Sequence, residues 1–271
     1  MLLKSLLKYC TFYRAKYKIN NFLKNFNRRI DSINPEFKNY YKNLKKNGYA
    51  VVKNFITKKE CEKILSQIDH FIIQKSSFVY VDKEMSDFRI FGAEKIDKSI
   101  FNFYSNKNII SVAENYLSSK IENLMTMANK VVFKNNNLGS GGGWHRDSLD
   151  GQFKCILYLV DVNENNGPFQ MINNSHKLKN IFFDSLFTKQ NIFNTRIKND
   201  IVDKLINENN NKVITFTGLA GTLLLVDTSS IHRGKPLKEG TRYALTNYFY
   251  PWYSGIFNQN IFTPKVEKYY F

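Results

Sequence analysis

Cysteine is scarce in this 271-residue chain: Cys10, Cys61 and Cys155 are odd in number and far apart. That excludes a disulfide-stapled scaffold and a CxxC metal or redox site, and it suits a reducing compartment such as the cytosol. No apolar run approaches the roughly 18 residues that a membrane-spanning helix needs. Gly139-Ser-Gly-Gly-Gly143 lacks the Gly-Lys-Ser/Thr ending of a phosphate loop and reads as a turn or lid. There is no GxSxG elbow, which argues against a Ser-His-Asp hydrolase. Histidine is limited to His70, His145, His176 and His232. Acid is short as well: 23 Asp+Glu face 40 Lys+Arg, net +17, and residues 1–30 contain no acid. Such a field favours anionic partners without choosing among phosphorylated metabolites, nucleic acid and an acidic membrane. What is plentiful is apolar and aromatic surface, 43% and 15% of the chain, enough for a packed core and too much for disorder.

Leu3, Leu6, Leu7, Cys10 and Tyr13 or Tyr17 recur at three-to-four spacing with lysines between them, which predicts a helix over residues 2–30. Two fates fit it, packing on the domain or lying on an anionic membrane surface. Lys4 and Lys8 interrupt any secretory apolar region. A second helix is expected over 35–47, opened by Pro35 and stopped by Gly48. Tyr49–Val52 reads as a strand. Thr57-Lys-Lys-Glu60 is a capping box for a helix with Cys61, Ile64, Leu65, Ile68, Phe71 and Ile72 on one face. A further helix is expected over 108–118. From about residue 120 short apolar runs dominate: Lys130–Phe133, Phe153–Val162, Lys212–Phe216, Thr222–Val226 and Arg242–Tyr250. Gly, Asn and Asp punctuate them, as in a β-sandwich or barrel, with Asn199–Asn209 as a polar helical insert. The expected organisation is a basic amphipathic helix within 1–34 and one domain over 35–271, mainly β with flanking helices.

Trp144-His145-Arg146-Asp147 sets a His and an Asp two residues apart, so on a strand both face one side and can converge on one ion. His232, just after an apolar strand, is the best third ligand. Two His and one carboxylate leave coordination positions open, as in non-haem Fe(II) oxygenases, whereas structural zinc would want a fourth protein ligand. Arg242 follows ten residues after His232 at the start of the next strand. A neighbouring antiparallel strand would bring its guanidinium beside the metal, where it can hold a dicarboxylate in a bidentate pair. His176 reads as a structural histidine in a barrel turn and His70 as a helix residue. Arg89 is a candidate second cation of the pocket, and Trp144 either walls it or packs.

These residues carry a family resemblance. Asn47–Val52, Gly143–Asp147, Asp161–Pro168, Asn174–Lys177, Gly221-Thr222, His232-Arg-Gly234 and Arg242 resemble the phytanoyl-CoA dioxygenase family of Fe(II)/2-oxoglutarate oxygenases, over roughly residues 46–250. The resemblance implies a double-stranded β-helix (a jelly roll, cupin-like) preceded by helices. It implies Fe(II) on His145, Asp147 and His232, 2-oxoglutarate on Arg242, and O₂ as the other cosubstrate. Oxidative decarboxylation to succinate and CO₂ would drive hydroxylation of a C–H bond. Related halogenases lack the carboxylate, so Asp147 favours hydroxylation. Asn173-Asn174 replaces the Pro-Gly common before the family's Ser-His, and Gly234 stands where many members carry a hydroxyl that helps hold the cosubstrate. Thr246, on the Arg242 face, is the expected replacement, with Tyr158 and Lys134 as weaker candidates. The substrate expected is a small polar or anionic metabolite such as an acyl thioester, phosphonate or glycan precursor. A non-catalytic jelly-roll binding module and a nucleic-acid-directed oxygenase are the alternatives, although no aromatic–basic RNA motif is visible and no nucleic-acid partner is expected. The expected location is cytoplasmic, with residues 2–30 as a candidate membrane contact.

Overall fold

α1 (Leu2–Lys8) and α2 (Arg14–Asn25) lie within the helix that the sequence predicts over residues 2–30; its Cys10 and Tyr13 fall outside the described residues, and residues 28–30 are not helical. The computed structural model describes residues 2–8, 14–26, 28–135, 142–149, 151–208, 212–252 and 265–271; the predicted Gly139–Gly143 lid falls mostly outside them. α1 packs on the domain, with Leu6 buried against Leu149, Ile181 and Ile192. α3 (Lys38–Asn47) follows a 3-10 turn at Pro35–Phe37 and ends at Gly48, whose φ of 80° directs its N–H to Leu44 O. A Cβ at Gly48 would also lie 2.5 Å from His176 Nδ1, so both conformation and space demand glycine. α4 (Lys58–Gln74) opens on the expected capping box: Thr57 Oγ1 accepts from Glu60 N at 3.2 Å and Glu60 Oε2 accepts from Thr57 N at 2.8 Å. α5 (Lys98–Tyr104) and α6 (Lys107–Leu117) complete the helical layer; α6 is the helix expected over 108–118.

The strands are β1 (Tyr49–Val52), β2 (Val79–Val81), β3 (Asp87–Phe91), β4 (Ile121–Val132), β5 (Phe153–Tyr158), β6 (Phe169–Ile172), β7 (Val213–Phe216), β8 (Leu223–Asp227), β9 (His232–Gly234) and β10 (Thr241–Pro251). They form two antiparallel sheets, β1-β8-β5-β10-β4-β3-β2 and β7-β6-β9. Between the sheets lie Tyr158, Phe169, Met171, Phe216, Leu224, Val226 and Ala244. On the other face of the large sheet, Cys155, Leu157, Leu223, Leu225 and Leu245 pack with Leu44, Ile64, Ile68, Ile109 and Val112 of the helices. β8 is thus buried on both faces, which is why Leu223–Val226 is an unbroken apolar run rather than an alternation. This is the jelly roll with helices before it. The Asn199–Asn209 insert forms α8 (Asn199–Glu208), after α7 (Leu178–Thr188). Among the described residues no helix is long and apolar enough to cross a membrane.

Candidate metal centre

His145 and His232 meet through the backbone before they meet through their rings. His145 N donates to His232 O at 2.9 Å and His232 N to His145 O at 2.8 Å. Such a pair sets two side chains abreast on one face. Trp144–Asp147 therefore makes isolated antiparallel bridges, from His145 to His232 and to Arg196, rather than the strand the sequence suggests, yet it keeps the two-residue repeat. Asp147 N donates to Thr228 O at 2.9 Å, which fixes the third side chain. His145 Nε2 lies 3.6 Å from Asp147 Oδ1 and His232 Nε2 lies 3.4 Å from Asp147 Oδ2. The three side chains offer ligand atoms within 4.8 Å of one another.

Their chemistry fits a divalent cation. His145 Nδ1 donates to Gly143 O and His232 Nδ1 to Ser230 O, each at 2.9 Å, because a carbonyl can only accept. Both Nε2 lone pairs are thereby turned inward, as metal-binding imidazoles are held in other sites. Burial, with His232 beside it, lowers the His145 pKa to about 4, so the ring is neutral near pH 7. Burial works against the charge on Asp147, but Lys154 and the two histidines hold its carboxyl well below the usual range. Asp147 Oδ2 is buried without a well-directed hydrogen bond, although Lys154 Nζ is 2.7 Å away. A carboxylate flanked by two imidazole Nε2 atoms, with one oxygen lacking a well-directed hydrogen bond, suits a cation.

Arg146, between two of these residues, points the other way. Its Nη1 donates to Ser175 O and Ser229 O at 2.5 Å each, and Nη2 pairs with Asp184 Oδ2 at 3.0 Å, so it ties α7 and the turn before β9 to the back of the site. Burial raises the Asp184 pKa to about 6, with Arg146 opposing. The folded chain then holds this proton more tightly than the unfolded chain, whose Asp titrates near 4. Stability should fall as pH rises from about 4 to about 6. In thermal unfolding across that window, wild type should lose Tm relative to Asp184→Asn; parallel profiles would remove Asp184 as the source.

The three side chains open on a cavity of about 380 Å³ between the sheets. Arg242 reaches it, though not from a strand next to β9. β10 belongs to the large sheet, between β4 and β5, so Arg242 comes across the barrel. Its Nη1 donates to Gly167 O at 2.6 Å and Nη2 to Asn129 Oδ1 at 2.8 Å, while Nε is buried without a partner among the described residues. Thr246 lines the cavity on the same face of β10. Tyr158 does too, but its hydroxyl is committed: it donates to Phe216 O at 2.9 Å and accepts from Phe169 N at 3.0 Å. Lys134 is a correction. β4 ends at Val132 and the chain leaves the sheet, so Lys134 is exposed and off the cavity.

The cation that lines the cavity instead is Lys154, on β5 and 9% exposed. Burial opposes its charge, but Asp147 keeps its pKa above the ordinary value, and Nζ lies 4.3 Å from the Tyr248 ring. Alternation could have exposed it, since Lys154, Ile156 and Tyr158 share one face, but Phe153–Tyr158 reads as a buried run in which a lysine passes for an edge residue. Arg89 also lines the cavity and is paired with Asp87 at 2.5 Å. Trp144 packs with Ile172, Val202 and Leu205 beneath the Arg233 guanidinium and is no cavity wall. His176 packs on Gly48, its Nδ1 without a hydrogen-bond partner among the described residues, and His70 is exposed on α4.

The family model described as Phytanoyl-CoA dioxygenase (PhyH) matches residues 44–242. No curated protein sequence matches the chain. Among solved structures, the epimerase SnoN in complex with Fe3+, alpha ketoglutarate and nogalamycin RO has a TM-score of 0.61 at 11% identity, covering 86% of this chain and 94% of its own. HygX from Streptomyces hygroscopicus, with nickel, 2-oxoglutarate and hygromycin B, has a TM-score of 0.57 at 13% identity, with 80% and 88% covered. EctD from S. alaskensis with bound Fe has a TM-score of 0.59 at 14% identity, with 83% and 78% covered. At these identities the likeness is one of fold.

Proposed function

The chain belongs to the phytanoyl-CoA dioxygenase family, oxygenases dependent on iron and 2-oxoglutarate, and we propose that it hydroxylates a C–H bond of a small anionic metabolite. The observation that carries this is the meeting of His145 Nε2, His232 Nε2 and the Asp147 carboxylate at the wall of a cavity that Arg242 enters from the opposite sheet. In this reading His145, Asp147 and His232 hold Fe(II), and Arg242, with Thr246 beside it, holds the far carboxylate of 2-oxoglutarate. Iron bound there would supply O₂ activation coupled to oxidative decarboxylation of the cosubstrate.

The protein's part is placement. Gly143 O and Ser230 O fix the imidazole tautomers, Asn129 and Gly167 O hold the guanidinium, and Phe169 packs its ring 5.4 Å from that of His232. Lys154 and Arg89 make the cavity cationic, which favours an anionic group on the substrate. Two buried, unpaired cysteines, Cys61 and Cys155, suit a reducing compartment such as the cytosol.

The test is succinate formation and O₂ uptake with Fe(II), 2-oxoglutarate and a panel of anionic metabolites. Succinate should form slowly without substrate and faster with the right one. A protein that binds both Fe(II) and 2-oxoglutarate yet never yields succinate is a binding module instead. Lys154→Met should raise the KM of an anionic substrate about 10-fold or more, the loss of one charge-assisted contact. It should leave iron bound, because it removes a cation that competes for Asp147. An unchanged KM would remove Lys154 from substrate binding.

A further inference from the structure

α2 is mounted inside out. Ile19, Phe22, Leu23 and Phe26 follow the three-to-four spacing of one helical stripe, which in a surface helix ordinarily faces the core. Here all four are exposed, at 56%, 65%, 64% and 73%, and the Phe22 and Phe26 rings stack edge-on at 5.7 Å. Among the described residues, the side chains of α2 that bond to the domain are polar. Asn21 Nδ2 donates to Leu117 O at 3.3 Å and Asn25 Nδ2 to Ser119 Oγ at 3.0 Å, while Asn25 Oδ1 accepts from Lys120 N at 3.1 Å. These bonds join side chains to the end of α6 and the start of β4, so they fix which way the helix turns. Beyond it, the Arg28 guanidinium stacks 3.7 Å from the Trp252 ring.

We propose that this stripe is a docking surface for an anionic lipid bilayer. Charge complementarity selects that occupant. Lys16, Lys18 and Lys24 are exposed on the same helix, Arg28 and Arg29 follow it, and the first 30 residues carry no acid. An apolar ridge flanked by lysines is the pattern of a helix lying in the plane of a membrane, its apolar residues among the acyl chains and its bases at the headgroups. A second copy of this chain would meet the same positive charge and be repelled. A nucleic acid would use the bases but leave the ridge in water. The contacts on either side of the stripe fall close in sequence to residues that line the cavity: Leu6 of α1 packs on Leu149, two residues past Asp147, and Arg28 stacks on Trp252, two past Tyr250.

The experiment is sedimentation of the full chain with phosphatidylcholine vesicles, with and without phosphatidylglycerol. It should sediment with the anionic vesicles and about 10-fold less with the neutral ones. Phe22→Ser/Phe26→Ser should weaken binding to the anionic vesicles about 10-fold or more, and Lys16→Glu/Lys18→Glu should weaken it too, both at unchanged Tm because these side chains are exposed. Failure of the wild type to sediment, or binding that the Phe22→Ser/Phe26→Ser variant retains in full, overturns the proposal. So does a dimer that this variant converts to monomer, which would make the ridge a protein interface, or RNA binding that competes fully with the vesicles and ignores the phenylalanines.

Discussion

His232→Ala should leave a folded protein that no longer retains Fe(II) and whose succinate production falls about 10³-fold or more, equivalent to about 4 kcal/mol of transition-state stabilisation. The residue is 4% exposed, so the truncation removes packing against Phe169, but the backbone bridge to His145 does not depend on the ring. Loss of iron should therefore separate from loss of fold, with circular dichroism as the control and metal content after dialysis as the readout. His145→Ala should behave alike. Asp147→Ala should cost more in stability, about 3–5 kcal/mol, because it leaves buried Lys154 without its counter-ion. Asp147→Asn, which keeps the shape, is the better test of the carboxylate. Iron held with native affinity in both His232→Ala and Asp147→Asn would dissolve the proposed ligand set.

The parts of this molecule legible in sequence are those where a local signal and a local cause coincide. Thr57 and Glu60 close their capping box on each other, and Gly48 ends its helix by its own φ, so both boundaries are readable without a fold. His145 and Asp147 are two apart, and extended backbone alone puts them on one side. What was not legible depends on partners far along the chain. β4 begins at Ile121 rather than Lys130 because Thr126 and Asn129, polar in sequence, are buried against Asn247 and Arg242 from β10. β3 and β6 are hidden in the sequence for a like reason: Arg89 and Gln170 break the apolar pattern, and their partners, Asp87 and Arg233, show only in three dimensions. Lys134, a candidate cosubstrate contact by strand proximity, lies past the end of β4 at Val132, and the lysine that lines the cavity is Lys154 of β5.

Arg242→Met should raise the concentration of 2-oxoglutarate needed for turnover about 100-fold, or roughly 2.7 kcal/mol, the range for losing a bidentate charged contact in a buried site. Iron should stay bound, because none of the three proposed ligands touches the guanidinium. The substitution conserves length and apolar stem but strips the donors from Asn129 Oδ1 and Gly167 O, so a stability loss of about 1–3 kcal/mol should accompany it. That loss alone does not mimic the effect, since a merely loosened barrel would weaken iron and cosubstrate together. Arg242→Lys separates charge from shape: an ammonium keeps the positive charge but cannot present two parallel donors, so its 2-oxoglutarate requirement should fall between those of wild type and Arg242→Met. Isothermal titration of 2-oxoglutarate into the Fe(II)-loaded protein under anaerobic conditions reads the affinity without turnover. Equal affinities in all three proteins would mean that the cosubstrate carboxylate is held elsewhere in the cavity, with Arg89, Lys154 and Arg196 the cations left to examine.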